Sequence, residues 1–179
     1  ILYRLVGSEM CIRDRLWRAL AHDVEIDGKM VKNPYKKWSD IDKSLPNKGI
    51  KILVPPPTSG TRDAWNSLVM KKGCTKAAKA AYKAQGIKPK KGCRKLREDG
   101  LAVEAGENDT LIVNKLAGDP DMFGLFGYSY LVANKDKIKA TKIEGKKPSL
   151  ASIQDYSYPI ARPLFFYVKK AHVGVIPGI

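Results

Sequence analysis

No uninterrupted apolar stretch in this chain approaches the roughly 20 residues that a helix needs to cross a bilayer. Histidine is almost missing. Only His22 and His172 occur, far apart and without a motif, so no general base can be named for a serine or threonine nucleophile. Cysteine is nearly as scarce, with three in 179 residues. Two cysteines without nearby histidine do not assemble the four ligands of a zinc site. Acid is in deficit, with 18 Asp and Glu against 33 Lys and Arg, a net charge of +15. Such a balance points towards anionic partners and away from cationic ones. No phosphate loop ending in Gly-Lys-Ser/Thr occurs, and no zinc-finger, RNA-recognition or basic-zipper pattern. Internal repeats and low-complexity linkers are likewise absent.

What remains is a chain long enough for one domain with a substantial core, 44% hydrophobic as soluble globular proteins are. Its most informative segment is Pro55-Pro56-Pro57-Thr58-Ser59-Gly60-Thr61-Arg62-Asp63. An apolar run at residues 50–54 precedes it and reads as a buried strand. An amphipathic stretch follows and predicts a helix over residues 60–72. The segment is therefore a strand-to-helix turn. Ser59 or Thr61 can cap the helix, and Gly60 admits close approach of a ligand to the backbone. A helix N-terminus offers unpaired N–H groups and partial positive charge, which suit an oxyanion. Arg62 adds a charged fork of donors. An ordinary capped helix after a proline-rich loop is the alternative reading of the same residue types.

Ser59-Gly60-Thr61-Arg62-Asp63 ahead of an apolar helix resembles the phosphate-contacting motif of phosphate-binding proteins that serve ABC transporters. Further segments are similar to that family and stand in its order. They are Trp38-Ser39-Asp40-Ile41, Gly106-Glu107-Asn108-Asp109, Gly124-Leu125-Phe126-Gly127-Tyr128-Ser129-Tyr130, and the stretch from Tyr158-Pro159-Ile160-Ala161-Arg162-Pro163 through Val168. The resemblance covers roughly residues 16–179. It departs at Pro55, where many relatives carry an arginine.

The resemblance implies an α/β fold, one lobe of a two-lobed type II periplasmic binding protein, with a mixed sheet flanked by helices. Residues 16–157 would form the second ligand-binding lobe. Residues 158–179 would be a hinge strand turning back towards the first. It implies phosphate contacts from Ser59, Gly60, Thr61 and Arg62, with further donors from the other lobe. Relatives also use a carboxylate that accepts the phosphate proton, for which no residue is named. Phosphate and the membrane permease of an ABC importer would be the partners, in the periplasm. No enzyme activity, cofactor, metal or nucleic acid is implied, and the protein would be a monomer. Ile1 to Arg15 does not share the pattern. It resembles translated sequencing-adapter read-through and is expected to lie outside the fold. The end at Ile176-Pro177-Gly178-Ile179 is expected to be a truncation, so that the chain is an internal fragment.

Between Lys71 and Arg97 lysine and arginine are frequent and acid is absent. Lys72, Lys76, Lys79 and Lys83 fall on one helical stripe. The arm is either a footprint for nucleic-acid phosphates or a solvated basic face. Tyr82 is its only aromatic, which argues against a base-stacking platform. Cys74 and Cys93 bracket the arm. Residue types leave free thiols and a disulfide equally open, and the resemblance favours the disulfide, which suits an oxidising compartment.

Elsewhere the pattern predicts a helix over residues 16–21 and a hairpin turning at Asp27-Gly28. Helices are expected over residues 38–43, 75–84, 93–98, 148–154 and, capped by Asn108, 109–116. Strands are expected over residues 123–132, 140–143 and 164–169. Three features stay open. Glu104, Glu107 and Asp109 are either a metal cluster or loop and helix-start charges. Tyr128 and Tyr130 either face a cleft or pack. Arg162 is either a hinge contact or an exposed edge residue.

Overall fold

The computed structural model describes residues 13–106, 108–165 and 167–175 of the chain. Helix α1, Arg13–Leu20, opens the fold and buries Leu16, Trp17, Ala19 and Leu20 on one face. It begins three residues before the predicted start at Leu16. The boundary expected at Arg15 therefore falls inside the helix. Arg13 pairs with Glu144 and Arg15 with Asp42, which ties the first turn to the body. Residues 1–12 lie outside the described part of the chain. Strands β1, Asp23–Ile26, and β2, Lys29–Lys32, pair antiparallel with Val24 opposite Val31. Asp27 (φ 49°) and Gly28 (φ 77°) both take positive φ, as a two-residue type I′ hairpin requires.

Helix α2, Trp38–Ile41, is a single turn, shorter than the predicted 38–43. Asp40 reaches back to the two residues ahead of the helix, its carboxylate accepting from Lys36 N–H at 2.9 Å and Lys37 N–H at 2.8 Å, while Trp38 N–H donates to the Lys48 carbonyl at 3.0 Å. Strand β3, Ile52–Val54, is buried along its whole length. It lies between β4, Ala102–Glu104, and β5, Phe123–Gly124, and pairs parallel with both. Alternate side chains of β3 enter different cores. Ile52 and Val54 join Trp17, Trp38, Trp65, Met70 and Phe123, while Leu53 joins Ile112, Val113, Leu116 and Phe126. Burial on both faces is what a parallel sheet with helices on either side demands. The architecture is thus layered α/β. Antiparallel strand pairing, among the described residues, is confined to the hairpin and isolated bridges.

After β3 the chain runs helically over residues 60–73, as α3, Gly60–Trp65, a π turn, Asn66–Met70, and α4, Lys71–Gly73. Cys74 leaves the helix in extended conformation. Thr75 then caps α5, Lys76–Ala84, its Oγ1 accepting from Ala78 N–H at 3.1 Å. The predicted lysine stripe is therefore divided. Lys72 ends one helix, and Lys76, Lys79 and Lys83 belong to the next. Helix α6 is the short turn Pro89–Gly92. Helix α7, Asp109–Gly118, starts as predicted, with Asn108 Oδ1 accepting from Thr110 N–H at 3.0 Å. Helices α8, Tyr128–Ala133, and α9, Leu150–Gln154, follow, then a 3₁₀ turn at Lys170–His172.

Four expectations of secondary structure are corrected. Residues 93–98 are not a helix. A disulfide holds Cys93, and Leu96 forms an antiparallel bridge with Ala21. The predicted strand over residues 123–132 ends at Gly124. Gly127 takes a β-region backbone (φ −68°, ψ 150°) ahead of α8, and the aromatic residues beyond it are helical. Residues 140–143 contribute only Ile143, bridged to Lys146 in a tight turn. The described residues of 164–169 form no strand. Leu164, Phe165 and Tyr167 are exposed there and pair with no strand among the described residues.

Candidate functional site

Because β3, β4 and β5 are parallel, their carboxyl ends share one edge of the sheet, and α3, α7 and α8 all begin there. Crevices at this edge are where open α/β sheets bind ligands. The α7 and α8 starts are linked directly, since Asp109 Oδ2 accepts from Gly127 N–H at 3.3 Å. Asp109 thus serves a helix start. Glu107 lies outside the described residues.

Ser59 is the N-cap of α3. Its φ of −73° and ψ of 132° are the β-region values of a cap, and its Oγ accepts from Thr61 N–H at 3.2 Å. Its carbonyl accepts from Asp63 N–H at 3.1 Å and begins the helical ladder. The Gly60 N–H and the Thr61 hydroxyl make no hydrogen bond among the described residues. Gly60 N–H is therefore open, whereas Thr61 N–H is already engaged by Ser59.

Arg62 points inward and is only 9% exposed. Nη1 donates to the Pro55 carbonyl at 2.6 Å and lies 3.8 Å from a Glu104 carboxylate oxygen. Burial lowers its pKa, and the Glu104 charge acts in the opposite direction. Nε and Nη2 make no hydrogen bond among the described residues, so one edge of the guanidinium fork is free. Glu104 stands here as the counter-charge of Arg62.

Arg162 closes the turn from another part of the chain. Its Nη2 donates to the Gly60 carbonyl at 3.0 Å. A Cβ on Gly60 would stand 3.3 Å from that nitrogen, so the absence of a side chain there lets the guanidinium approach. Sequence reasoning left Arg162 open between two roles. The structure gives it contact with the motif, and only its place in the proposed hinge could have suggested this.

A cleft of about 330 Å³ opens beside the turn. Thr61 and Arg162 stand on its polar side, with Trp65, Leu68, Tyr128 and Tyr158 among its apolar walls. Tyr128 therefore faces a cleft, whereas Tyr130 is exposed. This wall was not visible in the sequence, since its members come from separate helices and loops. Trp65 Nε1–H is buried without a hydrogen-bond partner among the described residues.

The basic arm is a separate feature. Cys74 and Cys93 form a disulfide with 5.6 Å between their α-carbons, which closes the arm at its base. Trp17 Nε1 donates to the Cys93 carbonyl at 3.1 Å and ties that base to α1. Tyr82 is 1% exposed and packs inward, so it offers no stacking surface.

The fold is a layered α/β domain whose three parallel strands and the helices that follow them share one carboxyl edge. The chain belongs to the PBP superfamily domain family, whose model matches residues 14–179. It is 32% identical over 155 residues to the phosphate-binding protein PstS of Staphylococcus aureus (strain USA300), an alignment covering 82% of this chain and 39% of that protein. The chain thus spans well under half the length of that relative. Two solved structures share the fold. One is a possible phosphate binding protein from Planctomyces limnophilus, with TM-score 0.59 and 23% identity over 88% of this chain and 47% of that one. The other is PstS from Borrelia burgdorferi, with TM-score 0.60 and 14% identity over 89% of this chain and 52% of that one.

Proposed function

We propose that this chain binds inorganic phosphate as part of the substrate-binding protein of an ABC-type phosphate importer. Residues 16–157 form a ligand-binding lobe in this reading, and residues 158–179 lead through a hinge. Phosphate is bound stripped of water, so each oxygen needs a direct donor in exchange. Ser59, Gly60, Thr61 and Arg62 supply donors from this lobe, and a second lobe completes the site. The observation that carries the reading is the set of open donors at one strand-to-helix turn. Gly60 N–H, the Thr61 hydroxyl and the free edge of Arg62 lie within three consecutive residues at the positive end of a helix. Ser59 shapes the turn and presents a hydroxyl beside them. Arg162 adds a second guanidinium at the same place.

The mode of action is binding rather than turnover. Ser59 Oγ is engaged with a backbone N–H, and His22 is paired with Asp23 instead of facing the turn. No cofactor is needed for recognition by hydrogen bonds. The Cys74–Cys93 disulfide supports a location in an oxidising compartment such as the periplasm. A monomer that hands phosphate to a membrane permease is the working unit in this proposal.

Calorimetric titration of the 179-residue chain with orthophosphate tests it. A lobe that contacts one side of the anion leaves the other side hydrated. Binding is therefore expected near millimolar, about 4 kcal/mol, and should weaken as salt rises. Ser59→Ala with Thr61→Ala should remove the heat. A chain that ignores phosphate but is protected thermally by polyanions would overturn the reading. Micromolar binding would overturn its two-lobe part.

A further inference from the structure

The positive charge of this molecule is unevenly neutralised. Lys36, Lys48 and Lys51 each pair with a carboxylate, of Asp99, Asp121 and Asp119 respectively. Residues 71–97 contain nine lysines, two arginines and no acid. Arg97 is buried and paired with Asp99, and Arg94 is half-buried near Ser67. None of the nine lysines pairs with an acid among the described residues. Eight of them, Lys71, Lys72, Lys76, Lys83, Lys88, Lys90, Lys91 and Lys95, are exposed, and Lys79 is half-buried. The adjoining hairpin offsets little of this, since its Asp23, Glu25 and Asp27 stand with Lys29 and Lys32, and Asp23 lies opposite Lys32 in the register. Holding so much like charge together costs folding energy, so the bare lysines call for an anionic surface to face.

The arm is distinct from the anion-binding turn. The helical run over residues 60–73 starts at that turn and ends at the arm, about 20 Å away along its axis. We infer that the arm is a docking surface for an anionic lipid membrane. Two features favour lipid over nucleic acid. The solvent side of α5 carries Ala77, Ala80 and Ala84 between its lysines, and Ile87 is 40% exposed just beyond it. This makes a shallow face of small and apolar groups, with Tyr82 turned into the core and no aromatic left to stack on bases. The base of the arm is also a disulfide, which persists outside the reducing cytosol, away from most nucleic acid. A headgroup layer takes up many lysines at once without requiring a groove, and each contributes to attraction within a Debye length.

The test is sedimentation of the 179-residue chain with vesicles. Phosphatidylcholine vesicles containing phosphatidylglycerol should carry the protein down, and pure phosphatidylcholine vesicles should not. Raising ionic strength from about 0.1 M to about 1 M shortens the screening length from about 10 Å to about 3 Å and should release it. Lys76→Gln, Lys79→Gln and Lys83→Gln together should weaken vesicle binding on the order of a hundredfold. The same change at Lys135, Lys137 and Lys139 should weaken it several-fold at most. Equal losses from the two triple variants, or equal binding to both vesicle types, would overturn the inference. So would tighter binding to a short DNA duplex than to the anionic vesicles.

Discussion

Arg62 Nη1 donates to the carbonyl oxygen of Pro55 at 2.6 Å, seven residues back along the chain. Pro55 is where the motif departs from the family it resembles, and here the cation of Arg62 is held against that position. A buried guanidinium with one nitrogen fixed on a carbonyl and Glu104 nearby is pre-organised, with its remaining edge free. The relation ties the departure at Pro55 to the proposed ligand at Arg62.

Arg62→Ala should weaken phosphate binding at least tenfold, about 1.4 kcal/mol, because a dehydrated anion loses a charge-assisted partner. Arg62→Lys should recover only part of it, since an ammonium cannot hold Pro55 and the ligand with a planar fork. Calorimetry on the two variants checks this, and an unchanged dissociation constant for Arg62→Ala would remove the residue from the site.

Arg162→Ala tests the other guanidinium. The side chain is exposed and, among the described residues, its hydrogen bond runs to the Gly60 carbonyl, so the unfolding free energy should change by less than about 1 kcal/mol. Phosphate affinity should fall several-fold, since a positive charge leaves the turn. An affinity equal to that of the parent chain would mean that Arg162 serves only to pin residues 158–163 against α3.

How far these features could be read in the sequence depends on where their causes lie. Residues 50–54 and the Ser59 cap were legible because contiguous apolar residues and a capping hydroxyl act locally. Asn108 and the Asp27-Gly28 hairpin were legible for the same reason. The β5 strand was overextended because glycine, tyrosine and phenylalanine suit a strand, whereas the real limit comes from packing. A Cβ on Gly124 would meet Leu116 Cδ1 at 2.7 Å and Ile112 Cγ2 at 2.8 Å, so this glycine marks where α7 presses on the sheet. Residues 93–98 carry helix-forming side chains, and their local preference loses to long-range contacts. Arg97 donates to the Ala19 and Tyr35 carbonyls and to Asp99, which holds the segment extended. The apolar cleft and the Arg162 contact join residues far apart in the chain and leave no periodic trace.

The disulfide carries its own prediction. Native protein should show no reactive thiol from Cys74 or Cys93, leaving Cys11 alone. Cys74→Ser with Cys93→Ser should lower stability by about 3 kcal/mol, from the chain entropy that a loop of this size restores to the unfolded state. Denaturant melts of the parent and variant measure it. Equal midpoints would show that the core holds the base of the arm without the bridge.

Tyr82 makes stability sensitive to alkali. Burial, with a lesser contribution from the Asp23 charge, pushes its phenol up to about 12, against about 10 for an exposed tyrosine. The native state therefore keeps its proton between these values while the unfolded chain releases its own. The contribution is complete below about pH 10 and is lost as pH rises through about 12, with a slope of up to about 1.4 kcal/mol per pH unit. The hydroxyl has no hydrogen-bond partner among the described residues, so Tyr82→Phe should cost little at neutral pH. It should also flatten the alkaline slope. A variant with the parent's slope would assign the pH dependence to other groups.

The π turn at Asn66–Met70 lies inside the longest helical run among the described residues. Removing one residue from a regular α-helix turns everything beyond it by about 100° relative to what came before. A π turn is a wider turn that takes up one extra residue. Deleting one residue there would let the run close as regular α-helix with Cys74 still on the side of Cys93. A run without that turn would instead swing Cys74 round the axis and away from its partner. The π turn is thus slack in the run, a place where a residue can be lost and the bridge still close.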